Sequence, residues 1–261
     1  MACTWKDRLS SYLEPIEPLS SAAKAFFSKL WLSIRADGLG AFTRLADVRA
    51  AAVASWFRGP SEQFIEFEVR AGVPDLVASA RGIVLELGPG TGHQLRRYDA
   101  AAVTFVYGVE PNRHFAPDVA HAVAQAGLQD KYELIPCGVE DSEALARRGI
   151  TEGTLDTVLS IQVLCSVPQP EAVVRELYRL LKPGGQLIFW EHRRSSDATT
   201  AVVQGLWNWL WALGIGGCTL NRDLKKMLRE AGEWENLDSL QSDDAPQSLL
   251  PRTWGRLVKK S

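Results

Sequence analysis

Residues 83–92 of this 261-residue chain read IVLELGPGTG, and that stretch decides the fold. The apolar run Ile83-Val84-Leu85 leads through Glu86 into a turn carrying Gly88, Gly90, Thr91 and Gly92. A strand that empties into such a turn, with a helix to follow, brings backbone N–H groups close to a ligand. Glycine serves there because a Cβ would block the approach and because some turn residues need φ > 0. Val106-Tyr107-Gly108-Val109-Glu110 reads as the next strand, ending in an acid at the spacing where such folds hold a ribose. Strand, glycine turn, helix, strand and acid together predict a site for a nucleoside-type cofactor.

Two cofactor classes use that arrangement. A dinucleotide packs its pyrophosphate on a helix N-terminus and favours G-x-G-x-x-G. Here the spacing is G-P-G-T-G, and Glu86 stands two residues before the first glycine. A carboxylate directed into the turn repels a pyrophosphate but suits the ammonium of an amino-acid moiety, which favours S-adenosylmethionine over NAD. The segment ELGPGTG resembles motif I of class I methyltransferases. The resemblance continues in order over roughly residues 81–192. Gly138-Val139-Glu140-Asp141, after a strand expected at 132–136, is similar to the segment that flanks adenine. Residues 154–160, TLDTVLS, resemble the fourth strand, and Leu181-Lys182-Pro183-Gly184-Gly185 resembles the turn before the fifth.

This resemblance implies a Rossmann-like α/β fold: a seven-stranded, mostly parallel sheet in the order 3-2-1-4-5-7-6, with helices on both faces. It also implies S-adenosyl-L-methionine as cofactor, held by Glu86, Gly88, Gly90, Thr91, Gly92, Glu110, Pro111, Asn112, Gly138, Val139, Glu140, Ser160, Ile161 and Gln162. Glu86 is expected to engage the methionine ammonium and Glu110 both ribose hydroxyls. Asn112 braces the loop or serves only its turn, and Asp141 competes with Glu140 for adenine. A narrower likeness lies outside these motifs. Gln162-Val163-Leu164-Cys165-Ser166-Val167, Glu191-His192, and Gly217-Cys218 followed by Arg222 are similar to the methyltransferase-like-seven group, which methylates alkyl thiols. Those relatives carry a hydrophobic N-terminal anchor, whereas no anchor is expected from the first 80 residues of this chain.

Composition sets the bounds. With 46% hydrophobic and 23% charged residues, the chain has ample material for a buried core. One α/β domain over 81–261 with a helical cap over 1–80 is the expected organisation. A net charge of −2 gives no basic face for nucleic acid. Cysteines 3, 137, 165 and 218 form no C-x-x-C pair, so no metal is expected, and a reducing compartment fits. Lys6, Asp7 and Arg8 precede a polar, proline-broken stretch rather than a secretory signal, which suggests a cytoplasmic protein. Residues 198–221 contain no charge and carry Trp207, Trp209 and Trp211. They fall between the fifth strand and the last two, so a membrane span there would divide one sheet across a bilayer. A buried or interfacial helix is expected, with at most peripheral membrane contact.

Helical spacing marks residues 1–80, interrupted at Pro15, Pro18, Gly38 and Gly40, with Pro60 opening a section that holds Phe64, Phe67 and Val69. Strands are expected near 83–87, 105–109, 132–136, 155–160 and 186–191. A helix should stop at Pro183-Gly184-Gly185, another should cover 223–231, and strands should follow at 234–240 and 253–259.

Methyl transfer from a sulfonium is an in-line displacement that needs an aimed acceptor and exclusion of water. His192, at the carboxyl edge after the fifth strand, is the expected general base; the alternative is an exposed imidazole beside Arg193 and Arg194. Glu191 is expected to orient that imidazole or touch the acceptor. Cys165 reads as a buried thiol near the pocket wall. Trp207 and Trp211 offer an apolar lid over a lipophilic acceptor, with plain core packing as the alternative. His93 reads as a solvated loop residue, His114 and His121 as surface ones. The expected activity is methylation of a lipophilic small molecule, favouring a thiol. An O- or C-methyltransferase of a quinone or secondary metabolite is the alternative, and a non-methylating cyclase or interaction role is a third.

Overall fold

Seven strands form one sheet in the order β3-β2-β1-β4-β5-β7-β6. They are β1 (Gly82–Leu87), β2 (Val103–Val109), β3 (Tyr132–Ile135), β4 (Leu155–Ile161), β5 (Leu181–His192), β6 (Gln241–Ser242) and β7 (Arg252–Val258). The first five pair in parallel, while β7 runs antiparallel to both β5 and β6. This is the predicted topology. The computed structural model describes residues 4–59, 61–243 and 245–261. Cys3, Pro60 and the side chain of Phe64 lie outside that description, and so does the helical start read at Pro60.

Helices α1 (Trp5–Leu13), α2 (Ile16–Asp37), α3 (Leu45–Arg58), α4 (Ser61–Arg70) and α5 (Val73–Ala78) precede the sheet. Then come α6 (Ala116–Ala126), α7 (Ser142–Ala146), α8 (Pro170–Leu180), α9 (Ala198–Gly214) and α10 (Leu224–Ala231). The central strands carry short apolar runs, such as Ile83-Val84-Leu85 and Leu187-Ile188-Phe189-Trp190, because both their faces are covered. On one face Leu85, Leu87, Val158 and Phe189 pack against Val174 and Leu177 of α8 and Leu228 of α10. On the other, Val84, Val106, Leu159 and Ile188 pack under Val73 and Val77 of α5 and Val119 of α6.

Three expectations are corrected. The helix expected after the glycine turn is a single 3-10 turn, Leu95–Arg97. The glycine turn occupies the first part of the crossover, closed by Gly92 N–H donating to Pro89 O at 2.8 Å. The return turn, with Ala102 N–H donating to Asp99 O at 3.0 Å, occupies the last. Helix α5 packs against Leu95 and Tyr98, in the layer such a crossover helix would occupy. Second, α8 ends at Leu180, before the Pro-Gly-Gly stop, because Leu181 already pairs with Leu155 and β5 runs on through an irregular register. Third, no strand covers 234–240. Trp234 makes only an isolated bridge to Lys259, and the Asn236 side chain takes the ladder's partners, donating to Arg256 O at 2.7 Å and accepting Val258 N–H at 3.0 Å.

Among the described residues no helix is long and apolar enough to cross a membrane. The charge-free segment forms α9, N-capped by Asp197, which accepts Thr200 N–H at 2.9 Å. Its inner side contributes Trp211 and Trp207 to a third apolar cluster with Trp56, Cys165 and Cys218, while Val202, Leu206, Trp209 and Leu213 are exposed.

Candidate active site at the carboxyl edge of the sheet

The chain leaves β1 through Gly88-Pro89-Gly90-Thr91-Gly92. Gly88 and Gly92 sit at φ +50° and +75°, and neither has room for a side chain. A Cβ at Gly88 would lie 2.9 Å from Val163 Cγ2, and one at Gly92 would lie 2.7 Å from Ala122 Cβ. The turn is thus pinched between the segment after β4 and helix α6. A Cβ at Gly90 would meet nothing nearer than 3.8 Å, so that side of the turn is open.

Glu110, buried at the end of β2, closes the arrangement. It accepts Gly90 N–H at 3.2 Å on one oxygen and Asn112 N–H at 2.9 Å on the other, so a lone pair on each oxygen stays free. Burial pushes its carboxyl above the usual range. Pro111 is exposed. Asn112 does both things read for it: its side-chain oxygen accepts His114 N–H at 3.1 Å, and its amide donates to Ala50 O of α3 at 2.9 Å.

Glu86 lies beneath the turn, buried. Tyr132 reaches it across Gly108, where a Cβ would collide with the phenol, and donates at 3.3 Å. The buried phenol of Tyr98 stands beside the same carboxyl, and Oε1 has no partner at ordinary hydrogen-bond distance among the described residues. Burial raises the Glu86 pKa to about 8. At the end of β3, Val139 is buried and Glu140 is exposed. Gly138 leaves space for the Glu140 carboxyl, which an added Cβ would meet. Asp141 accepts Ala144 N–H at 3.0 Å and so caps α7.

A buried acid that the sequence reading missed ties the cap to this turn. Glu68 of α4 accepts from Arg97 at 2.7 Å, Gln94 at 3.1 Å and Gln162 at 3.4 Å, and faces His93 Nε2 at 3.2 Å. Burial acts to raise its pKa, but His93 and Arg97 outweigh that and hold it below the usual range. His93 also contacts Thr91 Oγ1 at 3.2 Å, so it is part of a network rather than a solvated loop. His114 likewise binds Asp47 at 2.8 Å, whereas His121 is exposed as expected. An acid on a helix reads as a solvated face, so Glu68 left no signal in the sequence.

The ends of β4 and β5 build the remaining part. Glu191 Oε1 accepts three donors: Ser160 Oγ at 2.6 Å, Val163 N–H at 2.8 Å and Leu164 N–H at 3.0 Å. It therefore shapes the segment after β4 rather than orienting the imidazole, a correction that follows from strand geometry, since neighbouring residues face opposite sides. Ile161 is half-buried, and Gln162 turns the chain at φ +61°, with its N–H donating to Trp190 O at 2.9 Å. His192 is buried, not exposed beside Arg193 and Arg194. Its Nδ1 lies 3.6 Å from Cys218 Sγ, and its Nε2 has no partner among the described residues.

Cys165 is buried, with its carbonyl accepting from both Thr219 N–H and Thr219 Oγ1 at 2.9 Å. Its thiol is pushed well up by hydrogen bonding to Cys218 and by burial; the same hydrogen bond holds the Cys218 thiol down. Trp211 is buried beside the two thiols, and Trp207 donates to Tyr12 O at 3.0 Å, so these indoles wall the sulfur cluster while Trp209 faces outward. Ligand atoms of Cys165, His192 and Cys218 all lie within 4.8 Å of one another. These three residues stand far apart in the chain, without C-x-x-C spacing, so the sequence carries no metal pattern for this group. The available signal was that the three segments of narrower likeness supply one member each.

Residues 62–235 match the model of a family described as a methyltransferase domain. The chain is 31% identical over 195 residues to thiol S-methyltransferase TMT1B of Homo sapiens, covering 70% of this chain and 72% of that protein. It is also 33% identical over 137 residues to a ubiquinone biosynthesis O-methyltransferase of Pseudomonas putida, covering 52% and 53%. Among solved structures, the N-methyltransferase NodS from Bradyrhizobium japonicum WM9, in complex with S-adenosyl-L-homocysteine, superposes with a TM-score of 0.50 at 15% identity, over 75% of this chain and 87% of that one. The [4+2]-cyclase SpnF gives a TM-score of 0.54 at 17% identity, over 72% and 80%.

Proposed function

The chain belongs to the S-adenosylmethionine-dependent methyltransferase family, and we propose that within it the methyl acceptor is the thiol of a lipophilic small molecule. The observation that carries this reading is the buried, sulfur-rich apolar cluster of Cys165, Cys218 and Trp211, with Trp207 packed against it. Cys165 is two residues along the chain from Val163, which packs on Gly88 of the glycine turn. Its likeness to the human thiol S-methyltransferase supports the same reading.

The residues present fit the cofactor. Glu86 keeps a buried, unpartnered oxygen for the ammonium, Glu110 keeps a free lone pair on each oxygen for the ribose hydroxyls, and the open side of Gly90 admits a ligand against the backbone. The bound cofactor supplies an electrophilic methyl carbon on a sulfonium. With the cofactor bound, the carboxyl edge would present that carbon, Trp207 and Trp211 would keep water out, and an acceptor aimed in line would gain most of its rate from that placement. A thiol must first lose its proton, because the thiolate is the nucleophile; His192 is the imidazole this edge offers. Glu191 fixes residues 160–164 and through them the wall of the site. The exposed apolar side of α9 supports peripheral contact with a membrane that stores such acceptors.

The test is incubation with labelled S-adenosylmethionine and a panel of alkyl thiols, phenols and quinones. Label in thioethers is expected. Label only in phenol or quinone ethers would favour the O-methyltransferase reading, which the Pseudomonas likeness supports. Cofactor binding without transfer to any acceptor would return the protein to a non-methylating role.

A further inference from the structure

The geometry points to a zinc site formed by Cys165 Sγ, Cys218 Sγ and His192 Nδ1, in which the acceptor's sulfur takes the fourth position. The second part of this inference rests on the thiol reading above; the site itself does not.

Zinc bonds thiolate sulfur at about 2.3 Å and imidazole nitrogen at about 2.0–2.1 Å, so a tetrahedral sulfur–nitrogen edge is about 3.6 Å and a sulfur–sulfur edge about 3.8 Å. Cys218 Sγ and His192 Nδ1 already stand 3.6 Å apart. The ligand atoms all fall within 4.8 Å, so no remaining edge has to close by more than about 1 Å. Two cysteines and a histidine form a soft, nitrogen-containing set that suits zinc. No fourth His, Cys, Asp or Glu joins them among the described residues. Three protein ligands with one open position is the arrangement of catalytic rather than structural zinc.

The two cysteine ligands are also held from outside by the hydrogen bonds of their neighbours. The Cys165 carbonyl is gripped by Thr219, and the carbonyl before it, of Leu164, by the Arg222 guanidinium. The Leu164 N–H is fixed by Glu191. Cys218 N–H donates to Ile215 O at 2.9 Å, and Leu220 N–H donates to Asn208 of α9 at 2.8 Å. The site is therefore built on the ends of β4 and β5 and on the turn after α9, one ligand from each.

In the reaction, the acceptor thiol gives up its proton to bulk water as it enters, ahead of the water-free displacement, and takes the fourth position as the thiolate. Its sulfur lone pair then forms the new bond to the methyl carbon. The carbon–sulfonium bond breaks, its electron pair stays on the donor sulfur, and a neutral thioether, a poor zinc ligand, departs. This replaces the general-base role expected of His192, because an imidazole bound through Nδ1 carries its proton on Nε2.

The test uses the full-length protein, stripped with a chelator, kept reduced with a phosphine, and titrated anaerobically with cobalt(II) alone. One equivalent should produce thiolate-to-cobalt charge-transfer absorption and tetrahedral ligand-field bands, and zinc should abolish both. Cys165→Ser and Cys218→Ser should each weaken binding by at least about ten-fold while retaining cofactor affinity by calorimetry, whereas Cys137→Ser should bind metal like wild type. No cobalt spectrum, equal binding in both serine variants, or a Cys165–Cys218 disulfide forming in place of metal binding would overturn the site. Thiol methylation by a metal-free protein would overturn the inference and leave the thiol reading intact. Metal binding without methylation of any thiol would instead sink the thiol reading and, with it, the acceptor's place on the metal.

Discussion

Raising the pH from about 5 to 8 should destabilise the cofactor-free protein, and S-adenosylmethionine should reverse that loss. The cause is Glu86, whose buried carboxyl accepts from Tyr132, has the buried phenol of Tyr98 beside it, and keeps Oε1 without a partner at ordinary hydrogen-bond distance among the described residues. Burial raises its pKa from 4.5 to about 8. The folded state thus holds the proton more tightly than the unfolded chain. The stability this contributes is complete below about pH 4.5 and is lost as pH rises through about 8, at about 1.4 kcal/mol per pH unit. Across three units that is at most about 4 kcal/mol, against a total stability of about 5–15 kcal/mol. Glu110 and Glu191, also raised by burial, add to the same slope. Glu86→Gln isolates the first share: the neutral amide should match wild type near pH 5 and unfold at higher denaturant near pH 8. A cofactor ammonium beside Glu86 favours the carboxylate, so binding at pH 7 should release about 0.9 proton, falling toward about 0.1 at pH 9. Calorimetry in buffers of different ionisation enthalpy reads that number directly. Equal proton release by wild type and Glu86→Gln, with parallel stability–pH curves, would refute the reasoning.

Glu110→Ala removes the carboxylate joined to Gly90 and Asn112 and should weaken cofactor binding by about 1.5–3 kcal/mol, measured by calorimetry. Gly92→Ala places a Cβ 2.7 Å from Ala122 at φ +75° and should destabilise the fold by about 2–4 kcal/mol in denaturant titration. Glu191→Gln weakens three hydrogen bonds at the β4 edge. It should lower kcat with little change in cofactor affinity, and a selective loss of cofactor affinity would contradict its positioning role. Replacing exposed Leu206 and Trp209 by Gln should reduce sedimentation with phosphatidylcholine vesicles without changing methyl transfer to a water-soluble thiol; unchanged sedimentation would dispose of membrane contact through α9.

The parallel strands were legible because burial on both faces favours apolar runs, and Ile83 to Leu85 or Leu187 to Trp190 supply them. The last strands were not, because Asn236 satisfies ladder groups with its side chain, something no hydrophobic pattern records. Glu110 was readable from its spacing after the glycine turn, since one βα unit fixes both. The donors that converge on Glu191 Oε1, namely Ser160 and the N–H groups of Val163 and Leu164, were not legible, because a sequence does not say which groups meet a buried acid. Cys165, His192 and Cys218 come from the segment after β4, the end of β5 and the turn after α9, and only the assembled sheet edge brings them within reach of one another.

The missing helix between β1 and β2 bears on how the molecule can be cut. A crossover helix covers the strands it connects, so an ordinary nucleotide-binding half hides its own apolar surface. Here that layer comes from upstream: α5 arrives before β1 is made and shields Val84, Val106 and Ile188 together with α6. A fragment starting at residue 81 would present that strip to water and should aggregate. The N-terminal segment, for its part, would carry Val73, Val77 and Ala80, all fully buried in the intact chain, with nothing to cover them. During synthesis these residues must wait until β1, β4 and β5 have all emerged, so docking of α5 is a late, long-range event. The backbone break tolerated best should therefore lie elsewhere, at an exposed turn such as Arg148-Gly149, where no layer of the sheet is parted from its cover.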